Sequence, residues 1–210
     1  LRRVSERVAL VKKARSDSKR ETTRELAMTP ALFGEIRQPS TRYIAIPKTS
    51  SENRVFVPMG FLDSDVVAST ELFTVSGGGV YELGVLLSTM HMAWVRTVCG
   101  RLKSDYRYSA GIVYNNFPWP ELTPPQPSPT SRGGSESEKH RTAIEAAAQG
   151  VLDARAQFPD ATLADLYDPL TMPPALVKAH QHLDKAVDAA YTAAEKAAGR
   201  RHGGRCRRLV

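Results

Sequence analysis

Residues 80–121 read VYELGVLLSTMHMAWVRTVCGRLKSDYRYSAGIVYNNFPWPE, and their reading decides the fold. Leu83, Leu87, Met90, Trp94 and Val98 recur at helical spacing, which predicts one buried helix over 80–98. Each such side chain contributes about 1.5–3 kcal/mol on burial, so this helix is expected to be a core element. His91 lies between two methionines, where packing or a hydrogen bond is the expected role. Gly100 is placed as the helix stop, in the left-handed conformation that glycine takes freely. The segment that follows, GRLKSDYRYS, crowds Arg101, Lys103, Arg107, Tyr106 and Tyr108 together. Arginine grips phosphate or a base edge bidentately, lysine offers a point charge, and tyrosine stacks or hydrogen-bonds. The stretch closes on Asn115-Asn116-Phe117-Pro118-Trp119-Pro120, where two prolines forbid continued helix.

Upstream, Val4 to Ala27 reads as a helix rich in Arg and Lys, with a thin apolar stripe of Val4, Val8 and Val11. A solvated surface helix is expected there. Leu32, Phe33 and Ile36, between Pro30 and Pro39, are expected to anchor a connector against a core. Tyr43–Ile46 and Arg54–Val57 have strand composition and flank PKTSSEN, which predicts a hairpin or two neighbouring strands. Pro47 and Pro58 put each run at a strand end or edge. The loop between them offers an ammonium, hydroxyls, a carboxylate and an amide, all ordinary turn residues and all able to meet phosphates or base edges. A second strand pair is expected at Asp65–Ala68 and Leu72–Val75. Gly77-Gly78-Gly79 fits neither G-x-G-x-x-G nor G-x-x-x-x-G-K-[ST], so it reads as a turn feeding the next helix.

Downstream, LTPPQPSPTSRGGSESE marks a linker with no packed core. Residues 139–157 then place Ile144, Ala148, Val151 and Leu152 on one helical face. Thr162 can cap a short helix over Leu163–Tyr167, and Pro173 or Pro174 can open a longer one running to about Ala198. Its apolar stripe is Leu176, His180, Leu183, Val187, Ala190 or Tyr191, and Ala194. His180 is therefore expected in a core or interface. Asp184 and Asp188, one turn apart, read as a charged face rather than an acid–base pair.

The chain has 210 residues, 41% hydrophobic and 24% charged, with a formal net charge of +7. That composition reads as globular. Residues 1–120 hold 17 Lys/Arg against 11 Asp/Glu, whereas residues 121–210 hold 12 against 11, and five of those 12 are arginines in the last eleven residues. A basic lobe is an electrostatic footprint for an anionic partner such as nucleic acid. No run approaches the roughly 20 apolar residues of a membrane span, and the N-terminus lacks the apolar core of a signal peptide. Two cysteines argue against a disulfide framework and a four-ligand zinc site, so a cytoplasmic home is expected. The chain opens on Leu1 rather than Met, which leads to the expectation of a fragment. No nucleophile elbow, HExxH or cysteine–histidine cluster is present, so no catalytic and no metal-binding residues are assigned.

Three stretches carry a resemblance: RYIAIPKTSSENRVFVP (42–58), LGVLLSTMHMAWVRTVCGRLKSDYRYSAGIVYNNFPWPE (83–121) and LADLYDPLTMPPALVKAHQHLDKAVDAAY (163–191). Together they resemble the C-terminal part of the MmeI-like enzymes. These are bacterial type IIG/IIL restriction–modification proteins that fuse an endonuclease, an adenine-specific DNA methyltransferase and a target-recognition domain. The resemblance implies an α+β fold in which a basic connecting helix (1–28) from an upstream methyltransferase domain leads into a small mixed α/β target-recognition domain with short strands and a central buried helix (29–121), with an all-α C-terminal domain (139–198) behind it. Composition adds a Pro/Ser/Gly-rich linker (122–138), longer and more biased than the family's junction, and an aberrant basic tail (199–210). The tail departs from the family's apolar ending and reads as a frameshift product.

The resemblance further implies double-stranded DNA as a partner, with Lys48, Ser51, Glu52, Asn53 and Arg54 as one contact group and Arg101, Lys103, Arg107 and Tyr108 as the second. S-adenosylmethionine would serve the full-length enzyme, with no cofactor in this chain. The family's methyl-donor loop and Asn-Pro-Pro-aromatic motif are not found here, and Asn116-Phe117-Pro118-Trp119 lacks the paired prolines, so the fragment is expected to be inactive alone. The alternative is a nonenzymatic interaction module, a gene remnant or a separate specificity subunit of a split methyltransferase.

Overall fold

A computed structural model describes residues 2–120 and 136–197. Leu1, residues 121–135 and residues 198–210, which include the whole expected tail (199–210), lie outside the described residues, as does most of the expected linker. The chain divides into two units, residues 1–38 and 39–210.

In the first unit the expected single helix is interrupted. α1 (Arg2–Ser16) and α2 (Glu21–Glu25) are followed by a 3-10 turn, Leu26–Met28. Arg15 organises this unit by donating from Nη1 to the carbonyls of Leu26 and Thr29 and from Nη2 to that of Leu32, each at 2.9 Å. α1 buries none of its residues, as its thin stripe implies. Leu32, Phe33 and Ile36 do not anchor on a core; Phe33 is 86% exposed.

The second unit holds two three-stranded antiparallel sheets and the remaining helices. The strands are β1 (Tyr43–Pro47), β2 (Thr49–Ser50), β3 (Gly60–Leu62), β4 (Leu72–Ser76), β5 (Gly100–Leu102) and β6 (Asp105–Arg107). One sheet has the order β3-β1-β4 and the other β2-β6-β5. The expected pairing of 43–46 with 54–57 is not formed, because β1 pairs with β3 and β4 instead. Phe56 and Val57 are buried in irregular chain, where Phe56 stacks on His180 with centroids 4.0 Å apart. Pro58, without an N–H, cannot extend that segment into a ladder. Asp65–Ala68 is likewise not a strand, and Val67 there is 79% exposed.

The central helix is two helices, α3 (Val80–Leu86) and α4 (Thr89–Val98). Ser88 causes the break. Its backbone is extended, its Oγ accepts from His91 N at 3.2 Å, and the same hydroxyl donates to Val85 O at 2.7 Å. Serine thus caps a new helix inside an apolar run, as its competing hydroxyl allows. Cys99 then leaves α4 in extended conformation, and Gly100 opens β5 without a left-handed φ. After β6, a π-helical turn spans Ala110–Tyr114.

α5 (Glu136–Ala156), α6 (Leu163–Leu166) and α7 (Pro174–Ala197) complete the unit. Thr162 caps α6 reciprocally with Asp165. Ile144, Ala148 and Val151 of α5 and Leu176, His180, Leu183, Val187 and Ala190 of α7 are buried in one core with Leu83, Val85 and Leu86 of α3. Gly84 permits that approach: a Cβ there would lie 2.8 Å from the Cβ of Ala148. Arg155 joins the helices to the strands, donating from Nη1 to Met59 O at 2.8 Å and from Nε to Tyr167 Oη at 3.0 Å. Tyr167 Oη in turn meets His180 Nε2 at 2.7 Å. Burial, and secondarily the Arg155 charge, push His180 down to about 3. Asp184 is not a plain charged face; it is buried, and its Oδ1 accepts from Thr89 N at 2.8 Å at the start of α4. A carboxylate there also complements the helix dipole.

Candidate nucleic-acid interface

Lys48 is the joint between the two sheets. Its backbone N–H donates to Glu71 O at 2.9 Å, beside β4, and its carbonyl accepts from Tyr108 N at 2.8 Å, beyond β6. Its ammonium donates to Thr70 O and lies 4.9 Å from the centroid of Phe73. Beyond the joint, β2 pairs with β6 so that Thr49 faces Arg107 and Ser50 faces Tyr106. β5 pairs on the other side, Gly100 with Arg107, Arg101 with Tyr106 and Leu102 with Asp105.

Directly paired residues share a face, and successive residues alternate. One face of this ribbon therefore carries Ser50, Tyr106 and Arg101. Ser50 and Tyr106 are buried, while the Arg101 guanidinium lies over the Tyr106 ring at 4.0 Å. The other face carries Thr49, Leu102, Asp105 and Arg107, all exposed or half-exposed.

The turn Ser51–Arg54 lies beside the hairpin tip. Glu52 N donates to Asp105 Oδ1 at 3.4 Å, and the Glu52 carboxylate is 3.8 Å from Arg101 Nη1. Within the turn, Arg54 N donates to Ser51 O at 3.2 Å and Asn53 N to Ser51 Oγ at 3.3 Å. At the tip, Arg101 Nη1 donates to Ser104 O at 2.8 Å, and exposed Lys103 takes a φ of 56°. A non-glycine residue in the left-handed region costs of order 1 kcal/mol, which the pairing on both sides of the tip sustains. Arg107 Nη1 donates to Thr49 Oγ1 at 2.7 Å and to Glu71 Oε2 at 3.2 Å.

The two groups expected from sequence meet through Glu52, whose carboxylate faces Arg101 and whose N–H donates to Asp105, with Arg107 further along the ribbon. Lys48 stands at the joint, with its charge turned to Thr70. Tyr108 requires correction. It is 3% exposed, its hydroxyl meets His91 Nε2 at 3.0 Å, and burial raises its pKa. It is a core residue because DYRY alternates: Asp105 and Arg107 point outward, Tyr106 and Tyr108 inward. Burial also pushes its partner His91 down to about 4. That alternation was the signal available in the sequence. Thr49, Glu71 and Asp105 were missed because their relevance depends on a pairing between distant segments.

The other motifs are structural. Gly79 N donates to Glu82 Oε2 at 2.7 Å, so a side chain of the same turn already occupies the amide that starts α3. Asn116 Nδ2 donates to Gly111 O at 2.7 Å and to Ile112 O at 3.2 Å, Phe117 is buried, and Pro118 O accepts from Tyr191 Oη at 2.7 Å. The NNFPWP segment is therefore a strap tied to the π-helical turn and to α7. Among the described residues, no helix is long and apolar enough to cross a membrane.

Comparison with known proteins agrees with this architecture. Residues 1–121 match the target recognition domain of MmeI, and residues 136–205 match the MmeI C-terminal domain. DNA methyltransferase A of Bacillus subtilis (strain 168) is 40% identical over 188 residues, which cover 90% of this chain and 20% of the relative. Among solved structures, the Type IIL restriction-modification enzyme MmeI in complex with DNA is 47% identical with a TM-score of 0.71, covering 90% of this chain and 23% of that one. The chain thus spans about a fifth of the length of these relatives. With its α+β architecture and both matching domains in order, the chain belongs to the MmeI family.

Proposed function

We propose that this chain is the DNA sequence-recognition part of a site-specific, restriction–modification-type DNA adenine methyltransferase. Its S-adenosylmethionine-binding and catalytic motifs would lie in an upstream domain, on the same or a separate chain. The observation that carries this reading is the outward face of the β2-β6-β5 ribbon with its adjoining turn. Donors (Asn53, Lys103, Arg107) and acceptors (Ser51, Glu52, Asp105) stand on that face, its tip and the turn, and Arg101 reaches Glu52 of the turn from the ribbon's other face, all on strands fixed to a buried core. A major groove about 12 Å wide admits a two-stranded ribbon, and its base edges present matching donor and acceptor patterns. The likeness to an enzyme solved with DNA supports the same assignment.

In this reading Arg54, Lys103 and the half-exposed part of Lys48 serve the phosphates and set register. Ser51, Glu52, Asn53 and Arg101 meet base edges and Arg107 meets a base edge or a phosphate, since phosphate contacts position and base contacts specify. Tyr108 has no direct part. In the intact enzyme the target adenine would be flipped from the duplex into the methyltransferase domain.

Binding to duplex DNA across a salt series tests the reading. Affinity should fall linearly in log–log form, with a slope of about 0.9 per phosphate neutralised. Binding that is absent, or indifferent to salt, would exclude it. The purified chain should transfer no methyl group from S-adenosylmethionine; turnover would place a catalytic site within it.

A further inference from the structure

Arg107 is held in an unusual way for a half-exposed cation. One nitrogen, Nη1, donates both to Thr49 Oγ1 at 2.7 Å and to Glu71 Oε2 at 3.2 Å. Glu71 is itself fixed. Its carbonyl accepts from Lys48 N at 2.9 Å, its N–H donates to Ser69 Oγ at 3.3 Å, and Lys48 Nζ donates to the neighbouring Thr70 carbonyl. Thr49 is fixed by its ladder position opposite Arg107. Among the described residues Nε and Nη2 make no hydrogen bond, and the side chain is 42% exposed on the outward face of the ribbon.

We propose that Thr49 and Glu71 are positioning residues that lock Arg107 so that its Nε–Nη2 edge meets a pair of acceptors on DNA. This rests on the DNA-recognition reading. The Nε–Nη2 edge is a parallel donor pair that matches two acceptors at once, and such bidentate pairs add geometric specificity. Tethering Nη1 removes the rotamer freedom that an unheld arginine would lose on binding, so the edge is pre-organised. The Glu71 carboxylate also offsets the guanidinium charge, which favours oriented donation over long-range attraction. The acceptors are either two phosphate oxygens or two atoms of a base edge.

The test is a double-mutant cycle on the full 210-residue chain, with affinity measured by fluorescence anisotropy on the duplex that binds best from a random pool. Thr49→Val keeps a β-branched strand residue and the net charge while deleting the acceptor. It should weaken binding about fivefold, the scale of one hydrogen bond's net contribution. Thr49→Ser should restore near-native affinity. In an Arg107→Ala background, Thr49→Val should have no further effect. Thermal unfolding of each variant checks that the fold is retained. The salt slope of Arg107→Ala identifies the acceptors: a loss of about 0.9 relative to the native chain assigns phosphate, and an unchanged slope assigns a base edge. Native affinity in Thr49→Val alongside weakened Arg107→Ala would overturn the positioning role. An equal loss from Thr49→Val in both backgrounds would overturn it as well. If the native chain shows no salt-dependent binding at all, the DNA reading itself fails and takes this inference with it.

Discussion

Substituting Gly84 by alanine, alone and together with Ala148→Gly, probes the contact that seats the C-terminal helices on α3. A Cβ at position 84 would lie 2.8 Å from Ala148 Cβ, 3.1 Å from Ile144 Cγ2 and 3.4 Å from Leu183 Cδ1. The first neighbour is a short, stiff side chain, so α3 and α5 must separate or shift. Overpacking of this kind costs about 1–3 kcal/mol. Alanine in place of a helical glycine returns about 1 kcal/mol, so Gly84→Ala should be destabilised by a net of about 0–2 kcal/mol. Ala148→Gly loses about the same helix preference and one buried methyl, about 2 kcal/mol in total. In the double variant the helix preferences cancel and the methyl merely moves across the interface. It should come within about 1 kcal/mol of the native chain, far from the additive expectation. The coupling, about 2 kcal/mol, isolates the clash. Urea or thermal unfolding followed by circular dichroism reads it, with about 2–4 °C for each kcal/mol in a chain of this size. Effects that add within about 0.5 kcal/mol would refute the close packing of α3 on α5.

The buried polar links make further predictions. Arg155→Leu strips the donors from Met59 O and Tyr167 Oη, two buried acceptors, and should cost about 2–4 kcal/mol in urea unfolding; a loss below about 0.5 kcal/mol would contradict that geometry. Tyr108→Phe should lower stability by about 1 kcal/mol through the lost His91 contact while leaving DNA affinity unchanged. Weakened binding in a fully folded Tyr108→Phe variant would return Tyr108 to the interface. His91 and His180 have folded values near 4 and 3, below the unfolded value near 6.5. Below that value the unfolded chain binds more protons, so the stability they contribute is full above about pH 6.5 and is lost as pH falls through 4 and then 3. Denaturant midpoints should therefore drop on acidification from pH 7 to 4. Imidazole resonances of these two residues that titrate near 6.5 would contradict their burial.

The C-terminal helices were legible in the sequence because long amphipathic stripes state their own burial. Leu176, His180, Leu183 and Val187 occupy the core as their spacing implies, and Thr162 caps as its position implies. The strands were less legible. Arg54–Val57 has strand composition, yet Phe56 serves a stacking contact with His180, more than a hundred residues away. The central stripe concealed a break, because a helical period continues across Ser88 while the hydroxyl itself starts a new helix. At the candidate site, residue types were readable but directions were not. Tyr108 and Arg107 are neighbours in sequence, yet Arg107 is half-exposed at the end of β6 and Tyr108, just beyond it, is buried. Asp184 read as a surface charge because the amide it accepts, Thr89 N, belongs to a helix end that the sequence did not show.

The central claim, that this chain carries DNA sequence recognition, is tested most directly by selection from a random duplex pool with the native chain, followed by sequencing of the bound fraction. The account predicts enrichment of a single short motif, with each wrong base pair costing about 1–3 kcal/mol. Bound DNA with no enriched sequence, or no bound DNA at all, would contradict it.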